Sequence, residues 1–209
     1  MSDVRNRKFT RRELAGMMFA GIVAATTSYP VSARAALTPA EDYVNRIAGD
    51  VMQLANSGQR GTRLRDKFAA LLERYINLRN IANFALGPYR AKLPSSKKDE
   101  FYNLVGDYTA ALFVYYVEDF RGSELEILST TKQGKFINIH SAIRLKGGGR
   151  EQVRWRVVQS ASGGFTVSDV NVKGVWLTIS MKKRFGDVLN KSKGDFNALF
   201  AELRAAETW

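Results

Sequence analysis

The apolar residues of this chain change their period once, and the change divides it into a helix-forming half and a sheet-forming half. Up to Phe120 they recur three and four positions apart, the spacing of one helix face. Val44, Ile47, Val51 and Leu54 make a first stripe, and Leu64, Phe68, Leu71, Leu72 and Tyr75 a second, with Gly58 and Gly61 between them. Thr38-Pro39-Ala40-Glu41 reads as a capping box opening the first helix, with proline at its first position. A short helix around Ile81–Leu86 is stopped by Gly87-Pro88. The longest runs from near Ser96 to about Phe120 and carries Phe101, Leu104, Val105, Tyr108, Leu112, Tyr115 and Tyr116.

After Arg121-Gly122 the period is two. Leu125 and Ile127 alternate with Glu124 and Glu126, and Ile137, Ile139, Ser141, Ile143 and Leu145 alternate with polar neighbours. Val153, Trp155 and Val157 alternate with Arg154, Arg156 and Val158, giving one apolar and one largely basic face. Gly147-Gly148-Gly149 reads as a flexible turn, Gly163-Gly164 as a two-residue hairpin signal, and Phe165-Thr166-Val167 as the next strand. Two helices, about Leu177–Lys191 and Asp195–Ala206, close the chain. The class is α+β: a helical N-terminal half packed on a curved antiparallel sheet of about four strands, with C-terminal helices, and an apolar cavity where one side of the longest helix does not pack as core.

Residues 1–35 read as an export signal and stand apart from the fold. Arg5, Arg7, Lys8, Arg11 and Arg12 precede an apolar run from Leu14 to Ala25, and Ala33-Arg34-Ala35 offers a small-residue cleavage site after Ala35. The run of 12 residues is short of the roughly 20 a membrane helix needs. Thr10-Arg11-Arg12-Glu13-Leu14 also looks like a twin-arginine signal; the general secretory route is the other reading. Residues 36–209 then suit one domain with one core.

Removing a segment of net +4 from a chain of net +12 leaves +8. In an exported protein that balance points to anionic lipid surfaces rather than nucleic acid. The chain has no cysteine and a single histidine, which excludes a disulfide framework and a thiol nucleophile and disfavours zinc. His140 lies within a strand, opposite its isoleucine neighbours, and no positioned partner for a general base is legible. Glu118, Asp119, Glu124 and Glu126 read as solvated helix-end and strand-edge charges. The triglycine, between Lys146 and Arg150, lacks the ending and the helix of a phosphate loop. Phe101, Tyr102, Tyr108, Phe113, Tyr115, Tyr116 and Phe120 crowd the longest helix beyond one stripe. Either both its sides are ordinary core, or one packs and the other lines a cavity. Arg90, Lys92, Arg144, Arg154 and Arg156 read either as solvated surface or as a headgroup site near such a cavity.

Several segments, in order, resemble the MlaC/toluene-tolerance family. Phe84-Ala85-Leu86-Gly87-Pro88-Tyr89-Arg90 is similar to its segment of small residue, Leu-Gly, aromatic and Arg; the helix with Phe101 and Tyr108 follows. Val153–Val158 and Phe165–Val170 resemble its late hairpin, and Asp169-Val170-Asn171-Val172-Lys173-Gly174-Val175 its most specific signature. Phe185, Leu189 and the Asp195–Leu203 helix match its ending, so the resemblance spans about Pro39 to Arg204.

The resemblance implies a periplasmic phospholipid-binding component of an ABC transport system, associated with outer-membrane lipid asymmetry and solvent tolerance. A subgroup is associated with hopanoid biosynthesis. Acyl chains are expected between helices and sheet, with the headgroup near solvent. Expected lipid contacts, from periodicity and the comparison together, are Phe84, Tyr108, Leu112, Tyr116, Ile139, Trp155, Val175 and Trp176, with Arg90, Arg144 and Arg154 at the headgroup or membrane. Expected partners are the lipid, an inner-membrane ABC transporter complex and an outer-membrane lipid-transport complex; no catalytic residue, metal, cofactor or nucleic acid is expected, and the chain is expected as a monomer. Lys173, Trp176, Lys182 and Tyr89 depart from the family's usual acid, serine, arginine and tryptophan. Trp176 is expected to narrow or reshape the pocket mouth, which leaves a rigid hopanoid or a different lipid open as cargo beside an ordinary two-chain phospholipid.

Overall fold

The computed structural model describes residues 36–121, 124–145 and 148–206, without the side chains of 118–120. The export segment expected over 1–35, the Glu118 and Asp119 side chains, and Lys146 and Gly147 of the triglycine lie outside the described residues.

Helix α1 spans Pro39–Ala55 and begins as its sequence dictates. The Thr38 hydroxyl accepts from the Glu41 N–H at 3.3 Å, and the Glu41 carboxylate accepts from the Thr38 N–H at 2.8 Å. Two first-turn donors are thereby satisfied. Helices α2 (Gly61–Tyr75) and α3 (Leu78–Leu86) follow, then two short 3-10 turns at Gly87–Lys92 and Ser95–Lys97. Helix α4, Lys98–Phe120, is the longest of the described helices at 23 residues, about 34 Å.

Five strands then form one antiparallel meander in sequence order: β1 (Glu124–Gln133), β2 (Phe136–Arg144), β3 (Arg150–Gln159), β4 (Phe165–Val172) and β5 (Val175–Trp176). Register irregularities between Ile127 and Ser129, and between Arg156 and Val157, add residues to one side of the ladder and bend the sheet. Helices α5 (Leu177–Lys191) and α6 (Phe196–Ala205) close the fold.

The strand not counted from the sequence is β5. Val172 pairs with Val175 across Lys173 and Gly174, whose φ angles are 52° and 82°. Positive φ at both central residues is the type I′ hairpin, so the two-residue turn lies here. At Gly163-Gly164 the loop is longer. Ser160 N–H donates to Gly164 C=O at 2.8 Å, with Ala161, Ser162 and Gly163 between them and Gly163 at φ 87°.

Among the described residues, the buried side chains fall into three clusters. Helices α3 to α6 share the first, with Phe101, Phe185 and Phe200 wholly buried. Helix α1 and the inward sheet face share the second, around Val44, Ile139, Val157 and Val167. Leu54, Ala55, Leu64 and Val117 form the third, where α1, α2 and α4 meet. Helix α4 is apolar on more than one side: Phe101, Leu104, Val105 and Tyr108 pack in the first cluster, while Phe113, Val114 and Val117 pack in the third.

Candidate functional site

A cavity of about 1500 Å³ borders all three clusters and opens to solvent. Ordinary small-molecule pockets run to about 1,000 Å³, so this one is large for such a ligand. Helix α2 contributes Phe68, Leu71 and Tyr75, and α4 contributes Tyr108, Leu112, Phe113, Tyr115 and Tyr116. The sheet contributes Ile143, Val153, Trp155, Val170 and Val172, and α5 contributes Leu177, Met181 and Val188. Helix α1 adds Ile47 and Val51.

The walls are held by specific contacts. Trp155 Nε1–H donates to Ser141 Oγ at 2.9 Å, and the Ser141 hydroxyl donates to Val153 C=O at 2.9 Å. Both side chains are buried, so each donor needs such a partner. Phe68 and Phe113 stack with centroids 3.7 Å apart and planes at 6°, joining α2 to α4. Tyr75 donates its hydroxyl to Asp50 at 2.6 Å, and the Tyr43 hydroxyl donates to Tyr75 C=O at 3.0 Å. Ile76, directly after α2, bridges Val167 of β4 and ties the helical half to the sheet. Burial raises the Tyr108 phenol above its ordinary value.

The rim is charged. Lys173, Lys183, Arg184, Asp187, Lys191 and Glu202 border the cavity, and α5 supplies four of the six. Lys183 donates to Asp187 at 2.7 Å, and Arg184 pairs with Glu202 of α6. The hydrogen bond from Lys183, aided by the nearby Lys191 charge, holds the Asp187 carboxyl below its ordinary value.

Of the residues expected from the sequence to touch lipid, Tyr108, Leu112, Tyr116, Trp155 and Val175 border this cavity. Three do not. Ile139 is wholly buried in the cluster under α1. Phe84 lies exposed on α3, with the Lys182 ammonium 5.1 Å from its ring centroid. Trp176 pairs with Asn171 and so faces the other side of the sheet, where the Arg156 guanidinium sits 4.2 Å from its ring. Trp176 therefore does not narrow the mouth.

Arg90, Arg144 and Arg154 do not border the cavity either. Successive strand residues point to opposite faces. Val153 and Trp155 face the cavity, so Arg154 faces away, within 3.4 Å of Asn171 Oδ1. Arg144 is exposed just beyond Ile143, and Arg90 is exposed on the 3-10 turn. His140, opposite Arg154 in register, is half-buried on the same outer face. The rim residues of α5 were missed. Lys183, Asp187 and Lys191 recur every four residues beside the apolar stripe of Met181, Phe185 and Leu189, which is the pattern of any solvated helix face and carries no signal of a cavity.

An antiparallel sheet and a helical layer enclosing a large apolar cavity with a charged rim define a cavity-forming α+β protein. The family model for MlaC protein matches residues 43–205, and the chain belongs to that family. No curated protein matches the sequence. Among solved structures it is similar to the phospholipid-binding protein from Ralstonia solanacearum, determined in complex with a phospholipid. That match has a TM-score of 0.68 and 17% identity, covering 82% of this chain and 98% of the other. At that identity the likeness is one of fold.

Proposed function

We propose that this chain is a non-enzymatic periplasmic carrier that holds a membrane lipid, a phospholipid or a hopanoid-like molecule, with its apolar part in the cavity. It passes that lipid between an inner-membrane ABC transporter complex and an outer-membrane complex, after export and cleavage near Ala35. The observation that carries this reading is the apolar cavity of about 1500 Å³, open to solvent and rimmed by charge. Family membership supports it, and so does the fold shared with a protein solved with phospholipid bound.

The energetics agree. At about 0.8 kcal/mol per methylene, sheltering two chains of about 16 carbons from water contributes on the order of 20 kcal/mol before ordering costs. A reaction on an apolar substrate would instead need a reactive group aimed into the cavity. Both carboxylates at its border, Asp187 and Glu202, are already paired with Lys183 and Arg184, and His140 lies on the outer sheet face.

Purified protein expressed in bacteria is expected to release lipid on organic extraction, read by mass spectrometry. Trp155→Asp puts a carboxylate in the wall, where an unpaired charge is strongly disfavoured, and is expected to lower occupancy with the circular dichroism intact. His140→Ala is expected to leave occupancy unchanged. If the wild type yields no lipid and takes none from labelled liposomes, the carrier reading is wrong.

A further inference from the structure

We propose that the cavity selects lipids with an anionic headgroup, recognised by the rim cations Lys173, Lys183, Arg184 and Lys191. The inference rests on the carrier reading above and adds a cargo class and a site to it.

Four cations and two carboxylates border the cavity, so the rim as a whole carries two positive charges in excess. The excess is local. Lys183, Asp187 and Lys191 recur every four residues along α5, with Arg184 beside them, so one helix gathers three of the four cations at the opening. All four α5 residues are exposed while also bordering the cavity, which puts them where it meets solvent. Lys173 joins them from the β4–β5 turn, at the position where its φ of 52° is required.

Below the rim the walls are aromatic and aliphatic, from Tyr108 and Leu112 on α4 to Trp155 on β3. A lipid whose tails lie against those walls leaves its phosphate at the height of the cations. A phosphodiester accepts from lysine and arginine in short charge-assisted bonds. A zwitterionic headgroup brings an ammonium into the same net-positive rim and gains less. Exposed charges act over a screening length of about 8 Å at physiological salt, so the rim reaches a headgroup at the opening and not the tails.

The test offers lipid-free protein vesicles containing equal phosphatidylglycerol and phosphatidylethanolamine with the same acyl chains, then extracts and quantifies the bound lipid. Because both lipids share one vesicle, surface attraction is common to them. Wild type is expected to enrich phosphatidylglycerol roughly tenfold at low salt, with the ratio falling as salt rises. Lys183→Glu with Lys191→Glu is expected to bring the ratio to about one. Lys132→Glu with Lys135→Glu, an equal change of net charge at the β1–β2 hairpin, is expected to keep it. Excess inorganic phosphate at matched ionic strength is expected to leave the enrichment in place, and its loss would reassign the rim to the free anion. Equal uptake of the two lipids by wild type, or equal loss of enrichment in both double variants, overturns the selectivity alone. Uptake of neither lipid overturns the selectivity, and overturns the carrier reading with it where the protein as purified also releases no lipid on extraction.

Discussion

The Asp169 carboxylate on β4 accepts from both donors of Thr178 on α5, the backbone N–H at 3.1 Å and the hydroxyl at 2.6 Å. Thr178 lies in the first turn of α5, where N–H groups have no helical partner and the helix dipole favours negative charge. Arg156 approaches the same carboxylate at 3.8 Å, and Asp169 is only 3% exposed. The acid that opens the family-like signature is thus a cap supplied by the sheet to the helix that rims the cavity.

Asp169→Ala leaves two buried donors unsatisfied and is expected to cost about 2–4 kcal/mol. Asp169→Asn keeps one acceptor and is expected to cost less. Urea unfolding followed by circular dichroism gives both values, and a loss below 1 kcal/mol for alanine would count against the capping role.

Ser141→Ala strands the indole N–H of Trp155, which is buried and bonded to that hydroxyl. The expected loss is about 1–3 kcal/mol. Tryptophan emission should shift at the same time, and an unchanged unfolding midpoint would contradict the proposed anchoring of the wall.

Enlarging a side chain separates cavity from core. Leu112 borders the cavity, whereas Ile139 is fully enclosed. Leu112→Trp is expected to leave stability within about 1 kcal/mol, since it grows into open space, while Ile139→Trp pays an overpacking cost of about 1–3 kcal/mol or more. Leu112→Trp should also reduce lipid uptake in the extraction assay. Equal destabilisation by the two would mean that the space beside Leu112 is not available.

Phe185 is wholly buried, with ring centroids 6.2 Å from those of both Phe101 and Tyr108. Phe185→Ala is expected to cost about 3–5 kcal/mol. Thermal unfolding measures it, and a shift of only a degree or two would show that α5 is loosely packed.

Alkaline stability follows from the tyrosines. Burial raises Tyr43 and Tyr108 above their ordinary 10.0, and the hydrogen bond to Asp50, then burial, raises Tyr75. The folded state therefore holds these protons more tightly than the unfolded chain. Their contribution is complete below about pH 10 and is lost as pH rises through the raised values. Urea midpoints should hold from pH 8 to 9.5 and then fall by about pH 11, and a midpoint constant across that range would contradict the shifts.

The elements were legible because their signals are local. The capping box at Thr38 and the change of period after Arg121 needed only neighbouring residues, and both occur as read. Strand β5 escaped because two residues cannot display alternation. The cavity wall was legible only in part, since periodicity reports a face and not a depth. Ile139 and Ile143 share one face of β2, yet only Ile143 borders the cavity. The headgroup arginines illustrate the reverse: the alternation that turns Trp155 inward turns Arg154 outward. The α5 lysines are indistinguishable in sequence from any solvated helix face, because their meaning depends on where α5 stands against α4 and the sheet.

Trp176 is both the last residue of β5 and the residue preceding the first turn of α5. No linker separates ladder from helix, so the pairings Asn171↔Trp176 and Val172↔Val175 fix the azimuth of α5 about its own axis. A helix rotates about 100° per residue, so one residue inserted after Trp176 would swing Met181, Phe185 and Leu189 out of their cluster and carry the lysines off the opening. The count of residues between Val172 and Leu177 therefore governs what the mouth presents as much as the identity of the side chains around it.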